Sequence, residues 1–149
     1  MKIISLGCGA KQEKGVQGYD RVDFKHNRIW EACRDKIPEG DSTIDEVRMW
    51  NFIEHINREY WPHVFNECHR VLKPAGILIF NAPNAAKNLD IALADPTHLS
   101  MMVKGTIKYI TGQRPRNADY GFKKWSIIQV FDDAKDERVF VVHLKPIKP

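Results

Sequence analysis

The run Ile3-Ile4-Ser5-Leu6 stops on Gly7-Cys8-Gly9, and this junction constrains the fold more than any other stretch of the chain. A short, mainly apolar run bounded by turn residues reads as a buried strand. The two glycines let the backbone turn sharply and come close to a ligand. A buried strand that breaks into a glycine turn suits the first strand of a parallel α/β sheet, in which ligands bind beyond the carboxyl ends of the strands. The run is also too short for a secretion signal.

The rest of the chain continues the pattern. Residues 11–18 are polar and turn-like. Residues 19–24 read as a second strand ending on Asp23, and residues 28–33 as a short third. Residues 36–42 form a loop rich in turn formers, and residues 44–50 a fourth strand. Over residues 58–72, Trp61, Val64, Phe65, Cys68, Val71 and Leu72 recur at intervals of three and four, the pattern of an amphipathic helix. Asn57 suits its cap, Pro62 its first turn and Pro74 its exit. Residues 77–80 are fully apolar, as in a central parallel strand, and residues 81–84 end it as a loop. Residues 100–110 suit a helix and residues 111–121 a polar turn. Residues 122–131 and 138–145 alternate and form a terminal hairpin. The expected class is α/β: a Rossmann-like, mostly parallel sheet with a C-terminal antiparallel hairpin and helices mainly on one face.

At 149 residues the chain is expected to be a single domain, residues 1–149. No apolar run approaches the roughly 18 residues that a membrane span requires. Cys8, Cys33 and Cys68 lack a CxxC spacing, so reduced thiols and a cytoplasmic location are expected. The net charge of +4 is scattered. Lys104, Lys108, Arg114, Arg116, Lys123 and Lys124 are the nearest thing to a cluster, and no nucleic-acid partner is expected.

Four motifs fall in sequence: Leu6-Gly-Cys-Gly9, the acid Asp23, Asp45-Glu-Val47 leading to Asn51-Phe-Ile-Glu-His55, and His69-Arg-Val-Leu-Lys-Pro-Ala-Gly76 before Ile77-Leu-Ile-Phe80. Together they resemble class I S-adenosylmethionine-dependent methyltransferases, in the small branch with an LGCG loop, an EH pair after the fourth strand and an RVLKPGG-type helix end. The resemblance spans residues 3–83 and continues loosely through Asp95-Pro-Thr-His98. Ala75-Gly76 stands where that branch has paired glycines, and residues 11–18 are too few for the usual crossover helix.

The resemblance implies S-adenosyl-L-methionine as cofactor. Leu6, Gly7 and Gly9 would pass beneath its methionine portion, Asp23 would hold the ribose hydroxyls, and Trp50, Asn51 and His55 would face it. His98 is the candidate catalytic base, since an imidazole suits proton removal near neutral pH; a loop histidine bonded to a carbonyl is the structural alternative. Some relatives hold a divalent metal near this place with an acid, a further Glu and the His, but Asn51 is a weak ligand at the first position and no metal is expected. The implied activity is methyl transfer to a small molecule or glycan, most simply at oxygen. A non-catalytic cofactor-binding or structural subunit is the alternative, and an RNA or protein methyltransferase is supported only by the charge. With one sheet face short of helices, a homodimer or a partner protein covering that face is expected.

Overall fold

A computed structural model describes residues 1–114 and 120–149. Arg116 and part of the polar turn expected over residues 111–121 lie outside the described residues. Seven strands form one sheet in the order β3-β2-β1-β4-β5-β7-β6. They are β1 (Ile3–Leu6), β2 (Val16–Asp20), β3 (Asn27–Ile29), β4 (Ile44–Met49), β5 (Leu72–Pro83), β6 (Trp125–Asp132) and β7 (Val139–Pro146). The first five pair in parallel, and β7 lies antiparallel between β5 and β6. The α/β class and the terminal hairpin are as expected from sequence.

The one long helix among the described residues, α1 (Trp61–Val71), connects β4 to β5. Its apolar stripe of Trp61, Val64, Phe65, Cys68 and Val71 is buried. Phe65 meets Phe80 of β5 edge-on at 5.5 Å between ring centres. The same face of the sheet carries Ile4, Leu6, Tyr19, Val47, Met49, Leu78, Phe80, Val142 and Leu144, all with no exposed surface. Their burial is the main apolar stabilisation of the domain, at about 25 cal/mol per Å² removed from water. Two short helices, α2 (Leu89–Leu93) and α3 (Ile107–Ile110), follow β5.

The opposite face carries Ile3 and Ser5 of β1, Val16 and Gly18 of β2, Glu46 and Arg48 of β4, and Ile77 and Ile79 of β5, aligned in register. No described helix covers it. It is less apolar than the sequence suggests, because Arg48 bonds Glu46 and Glu13 across its centre.

Several boundaries differ from the sequence reading. β2 covers Val16–Asp20 rather than 19–24, so Asp23 lies in the turn after the strand. The pattern misleads because Val16 and Tyr19 pair with Ile3 and Leu6 while Val22 and Phe24 pair with nothing. The third strand is only Asn27–Ile29. β5 extends on through Pro83, since β7 takes up the backbone of Asn81, Ala82 and Pro83. The segment 100–110 holds two short turns and no continuous helix: a 3-10 turn at Lys104–Thr106 and α3.

Candidate functional site

Two clusters gather beyond the carboxyl ends of the parallel strands. The first surrounds the glycine turn after β1. Gly7 and Gly9 both adopt left-handed backbone, at φ +63° and +60°, which favours glycine on steric grounds. Gly7 has a second reason. A Cβ there would lie 2.1 Å from Cδ2 of Phe52, so the Phe52 ring packs directly on the bare backbone. The N–H of Gly7 donates to the Tyr19 carbonyl at 2.8 Å, and that of Gly9 to the Asp20 carboxylate at 2.9 Å. Asp20, whose other oxygen accepts from Val22 N–H at 3.0 Å, is thus the acid at the end of β2.

Asp23, expected in that place, is a solvent-facing turn residue. Its carboxylate accepts from Lys25 N–H at 2.8 Å and from Lys25 Nζ at 2.9 Å. These contacts with Lys25 hold its pKa below the usual carboxylate range. Sequence reasoning missed Asp20 because Asp23 stood at the end of a misplaced strand.

Trp50 and Asn51 follow β4 at the same edge, and both are exposed. Asn51 takes a left-handed conformation at φ +47°, which asparagine tolerates better than most residues. Its N–H donates to Asn81 Oδ1 at 2.6 Å, and Asn81 Nδ2 donates to Asn51 Oδ1 at 3.2 Å. This reciprocal amide pair ties the ends of β4 and β5 together. Asn81 was invisible as a site residue because the sequence reads residues 81–84 as a plain loop.

The second cluster joins the turn Ile53–His55 to the segment around His98. The N–H groups of Leu99 and Ser100 donate to the Glu54 carbonyl at 2.8 and 3.1 Å. Ser100 Oγ donates to the Ile56 carbonyl at 2.5 Å. These bonds bring the His55 and His98 rings to 4.8 Å between centres, in an edge-to-face arrangement. His55 Nδ1 lies 3.1 Å from the Thr97 carbonyl and 3.0 Å from Thr97 Oγ1. His98 Nδ1 lies 3.0 Å from the Ala92 carbonyl. Carbonyls only accept, so in its neutral form each ring carries its proton on Nδ1 and presents a lone pair at Nε2. Glu54 is buried beside them, and burial pushes its carboxyl pKa up.

A cavity of about 750 Å³ opens beside the start of α1, lined by Arg58, Trp61, Tyr109, Arg114, Tyr120 and Phe122 among others. Arg58 stacks on Trp61 and bonds the Met101 carbonyl, which links this wall to the His98 segment.

A mostly parallel sheet with a glycine turn after β1, an acid at the end of β2 and a reversed last strand makes this a Rossmann-like α/β protein with its candidate site at the strand ends. Known proteins narrow the class. A family model described as a methyltransferase domain matches residues 7–80. A probable S-adenosylmethionine-dependent methyltransferase from Mycolicibacterium smegmatis is 34% identical over 68 residues. That match covers 44% of this chain but only 23% of the relative's length. Among solved structures, a protein of Pyrococcus horikoshii OT3 superposes with a TM-score of 0.72 at 15% identity, over 98% of this chain and 82% of that one. A SAM-dependent methyltransferase from Archaeoglobus fulgidus gives 0.71 at 17% identity, over 97% and 85%. At such identities the structural likeness is one of fold. Together with the family match over residues 7–80, it supports a likeness to the class I S-adenosylmethionine-dependent methyltransferase superfamily.

Proposed function

We propose that the chain binds S-adenosyl-L-methionine across the ends of β1, β2 and β4 and transfers its methyl group to an oxygen of a small-molecule or glycan acceptor. The observation that carries this reading is the left-handed Gly7–Gly9 turn anchored on Asp20, within the stretch matched by the methyltransferase model. Leu6, Gly7 and Gly9 supply backbone beneath the methionine portion. The strand-end position gives the ribose hydroxyls to Asp20 in place of Asp23. Trp50 and Asn51 flank the cofactor on the β4 side.

In the transfer, the acceptor oxygen forms its bond to the methyl carbon as the sulfur–carbon bond breaks. S-adenosylhomocysteine leaves, and the hydroxyl proton passes to a base. His98 is proposed as that base, since its Nε2 carries the free lone pair, and His55 lines the same spot. The aromatic cavity beside Arg58 suits a flat or ring-shaped acceptor. The open sheet face is proposed to pack on a second copy of the chain, with Ile3, Val16, Ile77 and Ile79 as its apolar part. The three free cysteines suit a reducing compartment, and we place the chain in the cytoplasm.

Calorimetric titration with S-adenosylmethionine and S-adenosylhomocysteine tests the reading, with saturable one-to-one binding of both expected. Absence of heat for either refutes it. Binding without turnover over a panel of hydroxylated acceptors favours the cofactor-binding subunit, for which the short β1–β2 and β2–β3 connections speak.

A further inference from the structure

Two guanidinium groups stand over aromatic rings of the cavity beside α1. Arg58 Cζ lies 5.3 Å from the Trp61 ring centre, and Arg114 Cζ lies 5.2 Å from that of Tyr109. All four residues line the cavity. A guanidinium over a ring uses its face and leaves the N–H donors at its edge for other partners. Arg58 gives one of them to the Met101 carbonyl. Elsewhere in the fold Arg48 and Arg70 spend their charge on carboxylates. Arg58 and Arg114 form no ion pair among the described residues. Glu59 is the one acid among the described lining residues, and it is exposed and bonded to neither arginine. The sequence adds to the charge, since residues 96–118 hold Lys104, Lys108, Arg114 and Arg116 and no acid. Positive charge with nothing to offset it attracts an anion to this flank of the molecule.

The rest of the cavity suits an apolar body. Trp61, Tyr109, Tyr120 and Phe122 put aromatic rings on its wall, with Val103 and Ile110 beside them. Its volume falls within the range of about 300–1,000 Å³ that takes a small-molecule ligand. Leu99, Met101 and Val103 are exposed, while Ser100 and Met102 between them are buried. That alternation makes an apolar strip leading from His98 to the cavity, and Val103 belongs to both.

We propose that the cavity binds an aromatic compound bearing a carboxylate or phosphate group, with Arg58 and Arg114 holding the anion and the aromatic wall holding the ring. An anion–guanidinium pair fully in water is weak, but beside an apolar wall that sheds water the same pair is stronger. The proposal rests on the reading of the cavity as the acceptor's place. It narrows that acceptor from any hydroxylated small molecule or glycan to an anionic aromatic one, because an uncharged glycan makes no use of the two cations. The strip of Leu99 and Met101 gives the acceptor's hydroxyl end a path towards His98.

The test titrates the full chain with hydroxynaphthoate, naphthyl phosphate and naphthol by calorimetry near neutral pH, where the first two are anions and naphthol is not. No cofactor is present, so the outcome does not depend on methyl transfer. One-to-one binding of at least one anion is expected, about tenfold tighter than that of naphthol. The arm that binds tells a carboxylate site from a phosphate site. Arg58→Gln and Arg114→Gln should each weaken the anion about tenfold and leave naphthol unaffected. Arg28→Gln, on the edge strand β3, should change neither. Circular dichroism establishes that each variant is folded. Should loss of the Met101 bond unfold Arg58→Gln, the exposed Arg114 carries the test through Arg114→Gln. Absence of binding by both anions, equal affinity for naphthol, or anion binding that neither variant weakens overturns the proposal. Such a result with S-adenosylhomocysteine still bound leaves the cofactor reading standing.

Discussion

Replacing Asp20 and Asp23 separately separates what the structure says from what the sequence suggests. Asp20 sits at the end of β2 and anchors the glycine turn through Gly9 N–H, whereas Asp23 is committed to Lys25. A carboxylate that accepts from ribose hydroxyls makes charge-assisted hydrogen bonds worth about 1.5–3 kcal/mol. Losing them in Asp20→Ala weakens the cofactor on the order of 10- to 150-fold. Part of that loss comes from loosening the turn, since Gly9 and Val22 lose their acceptor as well. Asp20→Asn resolves the two contributions. It keeps an acceptor oxygen for Gly9 N–H and removes the charge, so it should lie between the Ala variant and the unaltered chain, about tenfold weak. Asp23→Ala should change affinity by less than twofold. The assay is calorimetry with S-adenosylhomocysteine at fixed pH, with urea unfolding of each variant alongside. If Asp23→Ala abolishes binding while Asp20→Ala is near normal, the cofactor reaches past the strand end and the argument from strand position is wrong.

Gly7→Ala should cost clearly more stability in urea than Gly9→Ala: both strain a left-handed residue, by about 1–2 kcal/mol, but only at Gly7 does the new Cβ collide with Phe52. Equal costs would mean that the Phe52 ring moves aside freely. Burial works to raise the pKa of Glu67, but the Arg70 guanidinium and the Ile37 N–H outweigh it and hold the carboxyl below its ordinary range. Its contribution is therefore complete above the unfolded carboxyl pKa of about 4.3 and disappears as pH falls through the lower folded value; Glu67→Gln should flatten that acid limb, and an unchanged limb would remove Glu67 from it. Sedimentation at micromolar concentration should give a dimer, dissociated by Ile79→Asp on the open face; a monomer at all concentrations would leave that face solvated.

The order of elements was legible because period and punctuation agreed. The stripe from Trp61 to Val71 has helical spacing and a proline at each end, and it folds as α1 almost where expected. The run 77–80 is apolar on both faces, and the residues after it extend the strand only because β7 pairs with them. Long-range pairing leaves little trace in local pattern, so the local pattern alone makes β5 too short and starts β2 three residues late. The histidine cluster shows the same limit. His55 and His98 each stood out, at the end of the β4 turn and in the loop after β5. Their meeting depends on backbone bonds from Leu99 and Ser100 to Glu54, which no spacing rule reveals. Glu54 itself looked like a neighbour of His55, and only burial shows that its oxygen lacks a partner.

The connection from β3 to β4 shows how the sheet holds together where a crossover helix is missing. Residues 30–43 form no helix, yet Trp30 and Ile37 are buried against the core. Arg70, near the end of α1, fastens this loop. It donates to the carbonyls of Ile37 and Glu39, each at 2.8 Å, and to the Asp41 carboxylate at 2.7 Å. Glu67, one turn earlier, pairs with Arg70 through both oxygens and accepts from the Ile37 N–H at 2.8 Å. A loop that carries its own buried backbone groups needs such partners, because water cannot reach them. The pair thus does the hydrogen bonding that a helix would do internally. It also fixes the approach to β4, whose far end presents Trp50 and Asn51 to the candidate cofactor site. The shortened frame keeps its functional edge because the substitution for the missing helix is made at the opposite, amino end of the strands.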